Sequence, residues 1–275
     1  MNLLLIRLGR RSFVSVIVAI MLACSVLAYG AAASAAETFK YEEITVEQLL
    51  AGYESGAFTA EEVVEAYLDR IALYEPSYNA FTLLSSTALE EARDVDRRRA
   101  AGEELGKLAG VPIVIKEAVD MAGYPSTMGW TPLSKENGGI ELIPERDAPV
   151  VAKLKEAGAI IIGRTNIPAF SASGTRSSTS WDGDTYNAFD RKLVPGASSS
   201  GTATAISGNF AILGIAEETG GSIQNPAAAQ GIVGIKPTFG LVANAGVVPL
   251  AGSTRDVIGP HARTVRDAAL MLDVI

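Results

Sequence analysis

Lys116 is the first residue in the sequence whose position suggests chemistry. It follows five apolar residues, "VPIVI", in a run whose β-branched composition is typical of a buried strand. Desolvation at the end of such a strand lowers the pKa of an ammonium group, and a lysine with a lowered pKa can act as a general base. The side chain could also extend into water or pair with Glu117 or Asp120. Taken alone, Lys116 fits this structural interpretation better.

A second segment, "PGASSSGTATA", supplies a row of hydroxyl groups. Gly196 and Gly201 bracket Ser198–Ser200, and small residues typical of a tightly packed helix follow. A glycine-bounded loop that leads into a helix can bind an anion. This segment lacks the G-x-x-x-x-G-K-[ST] order of a phosphate-binding loop, and by itself it also fits a plain serine and glycine turn.

A third segment, "ETGGSIQNPAAAQG", places Ser222 on a glycine turn. Gly220 and Gly221 let the chain turn sharply after a predicted strand and direct backbone N–H groups towards one point. A serine in this position can serve as a nucleophile beside an oxyanion hole. The order is not G-x-S-x-G, so an α/β-hydrolase nucleophile elbow does not fit. The alternative interpretation is a tight connection between a strand and a helix.

The elements around these segments alternate between helix and strand. Capping boxes at Thr45 and Thr59 predict two N-terminal helices, the first ending near Gly52 or Gly56. The other predicted elements, in chain order, are a helix over Ser86–Ala101, a strand over Gly110–Lys116, a helix over Asp147–Gly158, strands over Ala159–Gly163 and Asn209–Ala216, and a helix over Thr264–Ile275. This alternation predicts an α/β fold with a largely parallel sheet.

Taken together, the segments resemble the amidase signature family. The matching motifs are "GVPIVIKEAVD", "GRTNIPAF", "PGASSSGTATA", "ETGGSIQNPAA", "GIVGIKPTFGLV" and "GPHARTVRDAALMLD". They keep the family's order and spacing over residues 108–275, and weaker similarity reaches back to Thr45. The resemblance implies the amidase signature fold, in which α-helices enclose a mixed, largely parallel β-sheet. Residues 37–275 would form its N-terminal and catalytic core portion and lack its C-terminal part.

The resemblance also implies a Ser–Ser–Lys triad. Lys116 stands where the family has its lysine, Ser198 where it has a bridging serine on a cis peptide, and Ser222 where it has the nucleophile. The implied oxyanion hole consists of backbone N–H groups of Thr219, Gly220, Gly221 and Ser222. No metal or cofactor is implied.

Proton transfer explains why these residue types belong together. A serine hydroxyl is a weak nucleophile until a base removes its proton. Neutral Lys116 would take the proton of Ser198, which relays it from Ser222, while Ser199 supports the site by hydrogen bonding. The usual base is histidine, and the only one, His261, lies far along the chain from the glycine turns. A Ser-His-Asp triad through His261 is the less favoured alternative.

Five positions depart from the family pattern. Ala197 and Ser200 replace glycines, and Glu117 follows the lysine where aspartate is common. Glu218 stands in place of an aspartate and Gln224 in place of an arginine. That pair normally supports the nucleophile turn, and here it is expected to keep a hydrogen bond without the added strength of an ion pair.

Composition limits the classes of function. The chain has 275 residues, 48% of them hydrophobic, with 23 basic and 31 acidic side chains and a net charge of −8. This composition supports a globular core and makes binding to a phosphate backbone unfavourable, so no nucleic-acid partner is expected. With one cysteine and one histidine, the sequence excludes a zinc site built from clusters of these residues. The resemblance implies a small-molecule amide as substrate, and the sequence leaves the oligomeric state open.

Residues 1–36 have the composition of an export signal. Three arginines precede a run without charge that ends in small residues, and we expect cleavage after Ala35 or Ala36. The product would be periplasmic or secreted, without stable membrane association. The stretch "GRRSFV" resembles a twin-arginine signal, although Sec signals can contain the same pair. An uncleaved membrane anchor and a lipidated Cys24 are the alternatives.

These inferences predict an exported amidase that hydrolyses a carboxamide C–N bond. Two alternatives stay open: a truncated homologue without turnover, and the amidase subunit of a tRNA-dependent amidotransferase, against which the export signal argues. The family's domain continues beyond the last motif, and its C-terminal part supplies sheet strands and much of the acyl pocket. We therefore expect residues 37–275 alone to be poorly soluble or inactive.

Overall fold

The computed structural model describes residues 39–275, and the predicted export signal lies outside the described residues. Phe39–Glu42 belong to an N-terminal unit and contain a turn in which Glu42 N–H donates to Phe39 O at 2.9 Å. Glu43–Ile275 form one compact unit. Its helices are α1 (Val46–Ser55), α2 (Ala60–Tyr78), α3 (Ala88–Ala100), α4 (Pro149–Glu156), α5 (Ser200–Ser207), α6 (Gln224–Ala229) and α7 (Val265–Val274). Its strands are β1 (Phe81–Leu84), β2 (Pro112–Lys116), β3 (Ile160–Thr165), β4 (Leu213–Glu218), β5 (Val233–Gly234) and β6 (Val257–Ala262).

The six strands form a mixed sheet in the order β1-β3-β2-β4-β6-β5. Strands β3, β2 and β4 run parallel to one another at the centre, and β1 and β6 flank them in the antiparallel sense. Because β5 is antiparallel to β6, it shares the direction of the central strands, so four of the six point the same way. The predicted α/β class with a largely parallel sheet is confirmed.

The central strands bring three polar chain segments to one edge of the sheet. Strands β2, β3 and β4 are buried along their whole length, which is typical of parallel strands covered on both faces. Lys116 pairs with Thr165 of β3, and its neighbour Ile115 pairs with Ile215 of β4. The carboxyl ends of the three strands therefore meet, and in open α/β sheets this edge is where ligands bind.

The first two helices begin at the predicted capping boxes. Gln48 N–H donates to Thr45 Oγ1 at 3.2 Å, and Thr45 N–H donates back to Gln48 Oε1 at 2.9 Å. Thr59 and Glu62 repeat the reciprocal arrangement at 3.1 and 3.0 Å. Each box satisfies two backbone donors that a helix start would otherwise leave open. Gly56, with φ of 70°, ends α1, as its lack of a side chain predicts.

Helix α5 packs closely against the carboxyl ends of the central strands. A Cβ placed on Gly201 would lie 2.3 Å from Ala80 O and 2.4 Å from Asn166 N. Thr202, the next residue, lies with its hydroxyl 2.6 Å from that of Thr165 and donates to Ile215 O at 3.2 Å. The small residues of "SSSGTATA" thus hold the serine loop against the sheet edge.

The largest error in a predicted strand boundary is at the start of β4. The strand expected over Asn209–Ala216 begins at Leu213, because the chain first closes the end of α5. Asn209 adopts a left-handed φ of 56°, and Phe210 N–H donates to Ala205 O at 2.7 Å. Strands β1, β5 and β6 were not predicted.

Across the described part of the chain, no helix combines the length and apolar character that crossing a membrane requires.

Candidate active site

Lys116 ends β2 as a fully buried side chain with three close polar contacts. Its Nζ lies 2.7 Å from Ser198 Oγ, 2.8 Å from Glu217 Oε2 and 3.0 Å from Glu217 O. These contacts exclude the interpretation in which the ammonium group extends into water.

Burial determines the acid–base state of Lys116. Loss of hydration lowers the pKa of Lys116 below its ordinary value, although the Glu217 carboxylate acts in the opposite direction. A lysine whose pKa is lowered has a larger neutral fraction near neutral pH, and only the neutral amine can accept a proton. The direction of this shift suits a general base.

Glu217 is the partner of Lys116, which corrects the alternatives considered from sequence. Those were Glu117 and Asp120, both close along the chain. Instead, the Glu117 carboxylate accepts from Thr127 N–H at 2.9 Å and Gly129 N–H at 3.1 Å, and Asp120 accepts from Ser126 Oγ at 2.8 Å. Glu217 was missed because the contact joins two adjacent strands across 101 residues of sequence. The sequence signal available for Glu217 was the predicted strand that ends near Ala216, directly before it.

Ser198 lies in the loop before α5, fully buried and next to Lys116. The peptide bond between Ala197 and Ser198 is cis. Ser199 Oγ donates to Glu217 O at 3.2 Å, which agrees with the supporting role expected for it. The Ser200 hydroxyl is buried and has no hydrogen-bond partner among residues 39–275, so this added hydroxyl takes no part in the network.

The glycine turn after β4 carries Ser222 and is held by Glu218. Glu218 Oε2 accepts from Ile223 N–H at 2.8 Å and Gln224 N–H at 3.0 Å, and Gln224 Nε2 donates to Glu218 Oε1 at 2.7 Å. Burial raises the pKa of Glu218, but hydrogen bonds from Gln224 and Ile223 outweigh it and leave the pKa below its ordinary value. The neutral Gln224 thus keeps the expected hydrogen bond to an ionised carboxylate.

Ser222 itself is largely buried and forms no hydrogen bond through its hydroxyl within the described chain. The structure therefore brings Lys116 and Ser198 together but contains no hydrogen bond from Ser198 to Ser222.

The predicted oxyanion hole has free backbone donors. Neither Gly220 N–H nor Ser222 N–H is used in a hydrogen bond among residues 39–275. Gly221 adopts a φ of 106°, a conformation that favours glycine. The Thr219 hydroxyl donates to Asp256 Oδ1 at 2.5 Å. The oxyanion hole stays a prediction.

His261 occupies a structural position in β6. Its Nε2 lies 2.9 Å from Ile223 O, and burial lowers the pKa of His261 to about 4. Within the described chain, neither a serine nor a carboxylate forms a hydrogen bond with its ring. The arrangement gives no support to a Ser-His-Asp triad. Across residues 39–275 no group of three or more histidine, cysteine, aspartate or glutamate side chains is placed to hold a metal ion.

Comparison with known proteins identifies related sequences and structures. The amidase family model matches residues 62–275. The chain is 43% identical over 237 residues to a glutamyl-tRNA(Gln) amidotransferase subunit from Alkaliphilus metalliredigens, covering 86% of this chain and 47% of the relative. It is 45% identical over 228 residues to the corresponding subunit from Acidothermus cellulolyticus, covering 82% of this chain and 44% of the relative.

Solved structures agree with this relationship. The peptide amidase from Stenotrophomonas maltophilia superposes with a TM-score of 0.80 at 37% identity, covering 86% of this chain and 48% of the other. A bacterial aryl acylamidase of the amidase signature family superposes with a TM-score of 0.75 at 28% identity, covering 85% and 47%. The chain thus spans about half the length of the relatives it matches.

Proposed function

This chain belongs to the amidase signature family, and we propose that it forms the catalytic part of an amidase that hydrolyses a carboxamide C–N bond. Ser222 is the nucleophile, and Lys116 and Ser198 relay its proton. The observation that carries the proposal is the 2.7 Å contact between two fully buried groups, Lys116 Nζ and Ser198 Oγ, beside the glycine turn that presents Ser222.

Acylation begins with transfer of two protons. Neutral Lys116 accepts the Ser198 hydroxyl proton as Ser198 accepts that of Ser222, and Ser222 Oγ bonds to the amide carbonyl carbon. Free N–H groups of the turn, those of Gly220 and Ser222, stabilise the negative charge on the carbonyl oxygen. When the C–N bond breaks, the relay returns one proton to the leaving nitrogen, which departs as ammonia or an amine.

Deacylation repeats the same transfers with water. Lys116 and Ser198 remove a proton from a water molecule, whose oxygen bonds to the acyl carbon of the Ser222 ester. The ester bond then breaks, the proton returns to Ser222 Oγ, and the carboxylic acid leaves. The burial that lowers the pKa of Lys116 supports both halves of the reaction, because the base must be neutral at the start of each.

A second candidate is the amidase subunit of a tRNA-dependent amidotransferase. It is favoured by the names of the curated relatives, which are subunits of glutamyl-tRNA(Gln) amidotransferases. Such a subunit would work in a complex with other subunits, whereas the amidase would need only a small-molecule amide. We favour the amidase because residues 1–36 have the composition of an export signal. Recovery of the uncleaved chain from the cytoplasm would favour the second candidate instead.

A fluorophosphonate probe tests the nucleophile directly, since it reacts with an activated serine and does not require a complete acyl pocket. We expect the purified chain to be labelled on Ser222, as located by peptide mass spectrometry. Ser222→Ala should abolish labelling, and Ser200→Ala, which removes a hydroxyl outside the network, should retain it. An unlabelled but folded wild-type chain would instead support the truncated homologue without turnover.

A further inference from the structure

Lys116 and Glu217 form a buried ion pair at the proposed relay. Their charged atoms lie 2.8 Å apart, and the side chains are 0% and 1% exposed. Desolvating two charges is costly, and a buried pair often stabilises a fold no better than apolar side chains of the same volume. Stabilisation of the fold is therefore a weak explanation for this ion pair, and a role in the chemistry of the site is the alternative.

The three contacts of Lys116 suit an ammonium group, which would donate to all of them, and they also suit the neutral amine that the relay requires. Such an amine has two N–H donors and one lone pair. Glu217 offers two acceptors, its backbone O at 3.0 Å and its Oε2 at 2.8 Å, which use both donors. In the third contact, at 2.7 Å, the lone pair of the neutral amine would accept from the Ser198 hydroxyl. In this arrangement the lone pair faces the hydroxyl proton that it must accept.

Within the described chain, the Glu217 carboxylate has one hydrogen-bonding neighbour besides Lys116, the hydroxyl of Thr219. The Thr219 hydroxyl lies 3.3 Å from Glu217 Oε1 and 2.5 Å from Asp256 Oδ1, and its single proton can serve only one of these carboxylates at a time. The shorter contact assigns that proton to Asp256, whose carboxylate also accepts from Leu250 N–H and Ala251 N–H, each at 2.9 Å through Oδ2. Lys116 is thus the main donor to the Glu217 carboxylate.

We propose that Glu217 is a positioning residue for the relay, which orients the lone pair of Lys116 towards Ser198 and sets the pH at which Lys116 becomes neutral. The proposal rests on the function proposed above. In this role Glu217 acts through Lys116, with which it shares two contacts.

The charges around Lys116 fix the direction of the expected effect. Burial lowers the pKa of Lys116, and the opposing carboxylates are Glu217 first, then Glu218 and Asp256. His261 also faces Lys116, but its own pKa of about 4 keeps it neutral above that pH. Removing the Glu217 charge takes away the largest contribution that favours the ammonium form. Lys116 should then become neutral at lower pH.

Glu217→Gln tests this in the full chain, because glutamine keeps an acceptor oxygen and removes the charge. The chain has eight lysines, so ¹⁵N spectra of lysine Nζ can follow Lys116, with Lys116→Arg for assignment. We expect the Lys116 titration to move down by roughly one pH unit or more, a tenfold change in proton affinity. The acid limb of fluorophosphonate labelling of Ser222 should move with it.

Glu117→Gln is the matched control, since it neutralises a neighbouring buried carboxyl that forms no hydrogen bond with Lys116. It should leave the Lys116 titration in place. Glu217→Ala, which loses the acceptor, should slow labelling at every pH, and the Gln variant should restore most of that loss. If Glu217→Gln does not fold, as judged by circular dichroism, Glu217→Asp keeps the charge and should slow labelling without moving the titration.

An unshifted Lys116 titration in folded Glu217→Gln would overturn the proposal, as would an equal shift in Glu117→Gln. The titration separates this failure from that of the proposed function, because it needs no catalysis. A wild-type chain that is not labelled on Ser222 refutes the function, whereas the spectra still report whether Glu217 sets the charge of Lys116.

Discussion

Burial lowers the pKa of both Lys116 and His261, and their contacts decide which of the two can act as a base. The amine of Lys116 meets a serine hydroxyl, so its lowered pKa can be used for proton transfer. His261 has its Nε2 occupied by Ile223 O, and its buried Nδ1 has no partner within the described residues. A carbonyl partner fixes Nε2 as the protonated nitrogen. His261 thus supports the backbone beside Ser222 as a neutral side chain.

Substitution of each base separates these roles. Lys116→Ala should reduce fluorophosphonate labelling by about 100-fold or more, the usual scale of general base catalysis. His261→Gln keeps an N–H donor near Ile223 O, and labelling should stay within about tenfold of wild type, well short of that loss. Labelling rates over a range of pH measure both effects. A comparable loss in the two variants would restore the histidine triad as an explanation.

At the level of elements, the sequence predicts those whose signals are local. The capping boxes of α1 and α2 and the apolar runs of β2 and β3 lie within a few residues of sequence, and the structure has these elements. Strand β6, "VIGPHA", contains glycine, proline and histidine, and β5 has only two residues, so neither has a recognisable strand pattern.

In the site, too, contacts between residues that are distant in sequence leave no local sequence pattern. Lys116 and Ser198 are 82 residues apart, and no periodicity or spacing argument brings them together. The family resemblance predicted that contact. It did not predict Glu217, whose contact with Lys116 depends on the pairing of β2 with β4.

Helix α5 offers a test of how closely the serine loop must approach the sheet. Gly201→Ala would place a methyl group against backbone atoms of Ala80 and Asn166, which cannot move without displacing β3 or its neighbours. Overpacking of this kind costs about 1–3 kcal/mol, and the shifted Ser198 should also slow labelling. Gly174→Ala, with open space around the new methyl group and no positive φ, should change the free energy of unfolding little. Urea unfolding of both variants measures the difference, and equal stability would contradict the close approach.

At the scale of the whole molecule, the chain covers about half the length of its relatives, and Glu43–Ile275 form one compact unit. Several large apolar side chains of this unit are exposed, among them Leu241 at 66% and Val265 at 68%. Exposed apolar surface promotes association. The expectation that residues 37–275 alone are poorly soluble or inactive stays a prediction.

Two titratable groups, the fully buried His261 and the half-buried Glu75, have opposite effects on the pH dependence of folding. Burial lowers the pKa of His261 to about 4, so acidification from its ordinary value near 6.5 protonates the unfolded chain first and destabilises the fold. Burial raises the pKa of Glu75 to about 7, so its contribution is present below its ordinary value near 4.5 and is lost as the pH rises through 7. Each shift corresponds to about 3 kcal/mol.

Glu75→Gln removes one of these contributions. Glu75 Oε1 accepts from Phe81 N–H at 2.7 Å, and a glutamine oxygen can accept the same bond. From pH 5 to pH 8 the wild-type chain should lose up to about 3 kcal/mol of unfolding free energy through this carboxyl, whereas the variant should not. Urea unfolding at the two pH values measures this change, and the contribution of His261 is common to both proteins. Glu65→Gln, an exposed change on the same helix, should follow wild type. Parallel pH profiles for wild type and Glu75→Gln would show that Glu75 ionises as readily in the fold as in the unfolded chain.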